Sequence, residues 1–171
     1  MKKLIYGVIF LFMTGCLGYP EGIKPISGFN LQSFLGKWYE IARLDHSFER
    51  GLEKVTAEYS IRKDGGISVK NTGYSVEKKE WKEAIGKAFF VEAQDKGYLK
   101  VSFFGPFYGS YIVFELDSET YQYAYVTSSN TSYLWFLSRT PEIDEATKTK
   151  FVQKIESLGF RSDDLIWVNH K

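Results

Sequence analysis

From residue 38 to residue 139 the chain is a succession of short runs rich in Val, Ile, Tyr, Phe and Trp, each closed by glycine or by small polar residues. Runs of that length and composition form strands, and their regular separation by turn signals constrains the chain to an all-β arrangement. The pattern predicts eight strands, at 38–44, 53–62, 67–75, 81–92, 98–104, 111–116, 121–127 and 132–139. Lys63-Asp64-Gly65-Gly66 reads as a hairpin with glycine where positive φ is required, Asp95-Lys96-Gly97 as another, and Ser128-Ser129-Asn130-Thr131 as a polar loop tip. Strands joined this way favour an eight-stranded antiparallel up-and-down β-barrel over an open sheet, because closure leaves no unpaired edge. A barrel of that size is about wide enough to hold one small ligand. One C-terminal α-helix is expected on its outside. Asp144 caps it and Glu145 lies in its first turn. Phe151, Val152, Ile155 and Leu158 form its apolar stripe, Gly159 ends it, and Leu134 and Phe136 are the surface it packs on. Residues 165–168 form a candidate ninth strand.

The start of the chain has a different character. Lys2 and Lys3 precede an apolar run from Leu4 to Met13, and small Thr14 and Gly15 follow, which is the pattern of a secretory signal. That run is too short to span a bilayer comfortably as a helix. The only cysteine, Cys16, comes next, so no intrachain disulfide can form and stability rests on the core. Aromatic residues, 18% of the chain, can supply that core. Removing residues 1–15 takes away two lysines and no acid, leaving 20 basic against 21 acidic groups. That balance offers no basic field for nucleic acid. The division expected is a signal over 1–15, a tether over 16–28 and a single domain over 29–171.

Alternation assigns the inner faces. On the first strand Trp38, Glu40 and Ala42 share a side. On the second, Val55, Ala57, Tyr59 and Ile61 face in. The third contributes Ile67, Val69 and Asn71, and the fourth Gly86, Ala88 and Phe90. The fifth contributes Leu99, Val101 and Phe103, the seventh Ala124 and Val126, and the last Tyr133, Trp135 and Leu137. Ala57, Ala88 and Gly86 are small where a packed core would be filled, and a void there makes sense if a ligand occupies it. The alternative is that Tyr133, Trp135, Phe90 and Phe103 simply fill the barrel.

Gly36-Lys37-Trp38-Tyr39-Glu40-Ile41-Ala42-Arg43 opens the domain, and Phe48-Glu49-Arg50-Gly51-Leu52-Glu53-Lys54-Val55 follows. Lys100-Val101-Ser102-Phe103-Phe104-Gly105-Pro106-Phe107-Tyr108-Gly109 and Tyr133-Leu134-Trp135-Phe136-Leu137-Ser138-Arg139-Thr140-Pro141 come later. Together these stretches resemble the lipocalins, in particular the bacterial outer-membrane members, and more loosely apolipoprotein D. The resemblance implies that Gly36, Trp38 and Arg139 are the family signature, with the guanidinium stacked on the indole at the closed end of the barrel. It also implies that the turn from Phe29 to Leu35 plugs that end. The Thr-Asp-Tyr motif of many lipocalins has only a loose counterpart in Asp117 to Tyr121, which weakens any transfer of receptor docking. Met13-Thr14-Gly15-Cys16 resembles a bacterial lipobox, departing from it in the Met. It implies acylation of Cys16 and, with Leu17 next, delivery to the outer membrane. An ordinary secretory signal with an incidental free cysteine is the alternative. The function implied is binding of fatty acids or lysophospholipids for envelope lipid storage, transport or repair, as a membrane-anchored carrier facing the periplasm. No cofactor is implied, and a homodimer is compatible with the sequence.

Catalytic chemistry finds little support. His46 and His170 have no partners at metal-ligand spacing, and Gly105-Pro106 with Gly109 lacks the following helix of a phosphate loop. A lipid-modifying enzyme on the same barrel would need a general base, and Glu40 with Tyr59 or Tyr133 is the candidate set. Glu40 itself falls on the inner side with Trp38, where a carboxyl must be paired or protonated, and a bond to a Tyr or Arg is expected. Arg50 and Lys54, near the first long loop, are solvated charges or contacts for a lipid headgroup.

Overall fold

The computed structural model describes residues 17–171. Residues 1–16, with the expected signal and Cys16, lie outside the described residues. The elements follow in order as α1 (Leu31–Phe34), β1 (Gly36–Arg43), β2 (Leu52–Ile61), β3 (Ile67–Ser75), β4 (Glu80–Phe90), β5 (Tyr98–Ser102), β6 (Gly109–Leu116), β7 (Tyr123–Thr127), β8 (Leu134–Ser138), α2 (Glu145–Ser157), a 3₁₀ turn (Ser162–Asp164) and β9 (Ile166–Trp167). From β1 to β8 each strand pairs antiparallel with the next, and β1 closes the sheet by pairing with both β2 and β8. The result is the closed eight-stranded barrel that the turn spacing predicts, with one helix outside it.

Gly36 starts β1 at φ 90°, and a Cβ there would stand 3.6 Å from the Arg139 guanidinium. That distance is an ordinary contact, so it is the positive φ that calls for glycine. Trp38 follows, fully buried. Its Nε1 donates to the Phe34 carbonyl of α1 at 2.8 Å. Its indole carries the Arg139 guanidinium at 3.8 Å from the ring centroid. Arg139 in turn donates to the carbonyls of Ser33 (2.7 Å), Lys37 (2.8 Å) and Leu35 (3.0 Å). Tyr121, from the β6–β7 turn, accepts from Asn30 N–H through its hydroxyl at 2.9 Å. One cation thus joins β1, the plug helix and the end of β8, and Tyr121 ties in the facing turn.

Two apolar layers surround the wall. The inner one includes Phe29, Phe34, Trp38, Tyr59, Val69, Leu99 and Val126. The outer one sits between the wall and α2, where Phe151 packs on Phe136 at 4.6 Å and on Tyr125 at 4.8 Å between ring centroids. Asp144 caps α2 by accepting from Thr147 N–H at 2.7 Å.

Three expectations are corrected. Ala42 does not face inward. A β-bulge between Glu40 and Ala42 sets Glu40 opposite Leu137 but Ala42 opposite Phe136, so Ala42 joins the outer layer. Ile61, at the end of β2, is 54% exposed. Residues 23–28 are not a free tether. Ile23 is buried, Ile26 N–H donates to Val113 O at 2.9 Å, and Gly97 N–H donates to Ile26 O at 3.0 Å, so the segment lies along the β5–β6 edge. Beside β1, the C-terminal segment fills a gap in the wall. β9 pairs with Ala42 and Arg43, and Lys54 N–H donates to Asn169 O at 2.8 Å.

Arg139→Ala removes the guanidinium from the indole and leaves plug carbonyls without their donor. Urea unfolding is expected to report a loss of about 2–3 kcal/mol, the range for charged hydrogen bonds and a cation–π contact together.

Candidate functional site

The strands turn alternately at two ends. Plug helix α1, Trp38, Arg139 and the turns 62–66, 91–97 and 117–122 close one end, and the loops 44–51, 76–79, 103–108 and 128–133 form the mouth.

The inner wall is apolar near the plug. Tyr59, Val69, Ala88 and Val101 line a void with Ile67, Leu99, Tyr111 and the plug residues Phe29, Leu31 and Phe34. Its volume is about 10 Å³, room for about one water molecule. Ala57, Val126, Phe90, Phe103 and Trp135 pack in the same inner layer. Val55 is buried against Gly73, where a Cβ would come within 3.3 Å of its Cγ2. Asn71 sits opposite Ala57, and its Oδ1 is buried with no hydrogen-bond partner among the described residues. Gly86 leaves no empty space, since a Cβ there would lie 2.9 Å from the Phe103 ring and from Ser102 O. Aromatic rings therefore fill most of the barrel. The hydroxyls of Tyr59 and Tyr111 meet across it at 2.6 Å.

Toward the mouth the interior becomes polar. The bulge in β1 lets Glu40 and Arg43, three residues apart, both point inward, and both are buried. Arg43 Nη1 donates to Glu40 Oε1 at 2.7 Å, and Nη2 donates to the carbonyls of Glu49 (3.0 Å) and Leu52 (3.1 Å). The loop after β1 thereby folds down over the mouth and buries His46 and Glu49. Trp135 Nε1 donates to Glu49 Oε2 at 3.0 Å. The His46 ring stacks on Phe48 at 4.2 Å and lies 5.0 Å from the Trp135 ring and 5.8 Å from Tyr133. Tyr133 thus sits at the rim rather than deep inside.

Burial, with the Glu49 carboxylate beside it, pushes Glu40 up to about 8 against the pull of Arg43. Burial also raises Glu49. Burial, with Arg43 adding to it, lowers His46 to about 4, so at neutral pH the ring is uncharged. Its 3.4 Å approach to Glu49 is therefore a contact and not an ion pair, and neither ring nitrogen has an aligned hydrogen-bond partner among the described residues.

Of the residues singled out in the sequence, Glu40 takes its arginine partner from the same strand. Tyr59 is engaged with Tyr111, and Tyr133 stacks on Trp135 at the rim. Arg50 pairs with Asp45 on the surface, away from the interior. Arg43, His46, Glu49 and Tyr111 were not anticipated. Strict alternation turns Arg43 outward, and only the bulge reverses it.

A stability profile follows from these shifts. Glu40 binds its proton more tightly folded than unfolded, so stability is lost as pH rises from about 4.5 toward 8. His46 binds its proton more weakly when folded, so stability is gained as pH rises from about 4 to 6.5. The two slopes oppose each other between about 4.5 and 6.5, leaving a decline from 6.5 to 8 that belongs to the carboxyls. Melting temperature measured across that range should fall in the wild type and change less in Glu40→Gln.

The profile for the lipocalin-like domain matches residues 29–170. The chain is 58% identical to outer membrane lipoprotein Blc of Vibrio cholerae over all of both chains. It is 49% identical to the protein of the same name from Escherichia coli K12, over 87% of this chain and 84% of that one. Mouse apolipoprotein D is 28% identical over 77% of this chain and 71% of its own. Among solved structures, insecticyanin from the tobacco hornworm Manduca sexta superposes with a TM-score of 0.72 at 23% identity, covering 91% of this chain and 88% of that one. Closed barrel, plug and Trp–Arg stack agree with that likeness, and the chain belongs to the lipocalin family.

Proposed function

We propose that this protein is a carrier of single-chain lipids, fatty acids or lysophospholipids, tethered to the outer membrane through an acylated Cys16 and serving envelope lipid storage, transport or repair. The observation that carries the reading is the polarity gradient inside the barrel. Aliphatic and aromatic side chains line the plug end, and a buried ionic cluster lies only toward the mouth. That gradient suits a ligand with an apolar tail and one polar end. Each buried methylene contributes about 0.8 kcal/mol, so a long acyl chain supplies ample driving force. The void of about 10 Å³ is too small for such a chain, so uptake requires Tyr59, Tyr111 and neighbouring rings to move aside. Rings held by stacking and one hydroxyl contact can swing at far smaller cost than the backbone. The outer-membrane lipoprotein names of the Vibrio and E. coli relatives support the location.

Native mass spectrometry of residues 17–171, purified from bacterial cells without detergent, tests this. A co-purified mass of a fatty acid or lysophospholipid is expected, and Ala88→Trp, which fills the inner wall, should lose it while keeping its circular dichroism. A protein that carries no lipid and takes up none when oleate or lysophosphatidylethanolamine is added would contradict the carrier reading.

A further inference from the structure

The two ends of the barrel differ in surface, although loop 76–79 at the mouth carries Glu77, Lys78 and Lys79. All three closed-end turns are charged: Arg62, Lys63 and Asp64 in the first, Glu92, Asp95 and Lys96 in the second, Asp117 and Glu119 in the third. At the mouth, loops 103–108 and 128–133 contain no charged residue, and the charges of 44–51 are either buried or, in Asp45 and Arg50, paired with each other. Instead the mouth exposes large apolar side chains. Phe104 is 80% exposed, Phe48 61%, Phe107 60% and, at the start of β4, Trp81 60%. A rim of phenylalanines in water is unfavourable unless something apolar covers it.

The path of the N-terminal segment says what does. From the plug end this segment runs back along the β5–β6 edge toward the mouth. Ser27 bridges Lys96, Ile26 bonds Val113, Tyr19 packs edge-on against Tyr98 at 5.6 Å, and Gly18 N–H donates to Ser110 Oγ at 3.0 Å. Ser110 is the second residue of β6, next to the aromatic loop 103–108. Gly18, held at this position, follows Cys16 in the sequence by two residues. The described chain thus begins at the mouth and not at the plug.

We infer that the mouth rim is a bilayer-docking surface: Phe104, Phe107 and Phe48 enter the apolar margin of a phospholipid membrane and hold the barrel mouth-down on the leaflet that carries the Cys16 anchor. The inference rests on the carrier reading and deepens it, since it gives the lipid a route from leaflet to barrel that does not cross water. Lys78, Lys79 and Lys82 are exposed beside the rim and alternate with the exposed Glu77, Glu80 and Glu83, so the lysines offer single contacts to lipid phosphates rather than a basic field. Insertion of aromatic side chains to headgroup depth requires no change in the wall.

The test uses full-length lipidated protein in vesicles of phosphatidylethanolamine and phosphatidylglycerol. Acylation consumes the only cysteine, so F104C and I61C each offer one thiol for a bimane label, at the mouth and at the closed end. Spin-labelled lipid should quench the label at 104 strongly and leave that at 61 as bright as in buffer. In the double variant F104S/F107S, transfer of lysophosphatidylethanolamine out of vesicles should slow several-fold while its affinity for the same lipid added from solution is unchanged. Equal quenching at both positions, quenching at 61 alone, or none at either overturns the orientation. If these occur in protein that still binds lysophosphatidylethanolamine and carries the acyl mass on Cys16, the carrier reading stands and the docking surface alone falls. Absence of the acyl mass, or of any lipid binding, removes the ground of both.

Discussion

The Arg139 guanidinium on the Trp38 indole is the contact on which the rest depends. A barrel closed only by hydrogen bonds between neighbouring strands would be free to breathe at its ends. Here one side chain at the end of β8 stacks on β1 and supplies donors to three carbonyls of the plug and the first strand. Trp38 holds the plug from the other side through Phe34 O, and the Phe34 ring stacks on it at 4.9 Å. Strand, plug and last strand therefore cannot separate one at a time. The chain enters this corner through Gly36, whose φ of 90° favours glycine. Packing at this end leaves the mouth as the part of the barrel that can rearrange.

What makes the mouth chemically distinct is a single irregularity. Without the bulge between Glu40 and Ala42, Arg43 would face outward beside α2 and Ala42 would point into the barrel. With it, Ala42 provides the flat spot that the outer layer needs, and Arg43 turns inward to hydrogen-bond Glu40 and draw down the loop that carries His46 and Glu49. A buried arginine costs desolvation, and its partners here, the Glu40 carboxyl and the backbone carbonyls of Glu49 and Leu52, leave only Nε without a bond. The same cluster places charged and polar side chains near the entrance.

Much of this was legible in the residues. Turn chemistry gave the strand count and order, because glycine and small polar residues stop strands for local reasons. Boundaries moved by a residue or two, as where the seventh strand begins at Tyr123 and not Tyr121, whose positive φ of 55° belongs to the turn. Inner faces followed from alternation on the second to fifth strands, with Ile61 fraying at an end. Alternation failed on β1, since a bulge leaves no mark in hydrophobic pattern. The polar cluster escapes alternation for a related reason: Arg43 reads as outward-facing on the first strand, and only once the bulge turns it in do its bonds to Glu49 O and Leu52 O draw the loop down. Gly86 was taken for empty volume, whereas the Phe103 ring of the neighbouring strand occupies it. Residues 23–28 looked like a linker because their contacts to Val113 and Gly97 are made by backbone, which composition does not reveal.

A rigid closed end, a polar entrance and an interior now filled by movable rings together describe a barrel that makes room for a chain when one arrives. The most direct measurement is a crystal structure of the protein with lysophosphatidylethanolamine bound. The account predicts the acyl chain between Val69, Ala88 and Val101, the Tyr59 and Tyr111 hydroxyls drawn apart, the headgroup near Arg43 and Glu49, and Arg139 still seated on Trp38. A lipid bound to the outside of a barrel whose interior is unchanged, or one that enters only by dislodging the plug, would contradict it.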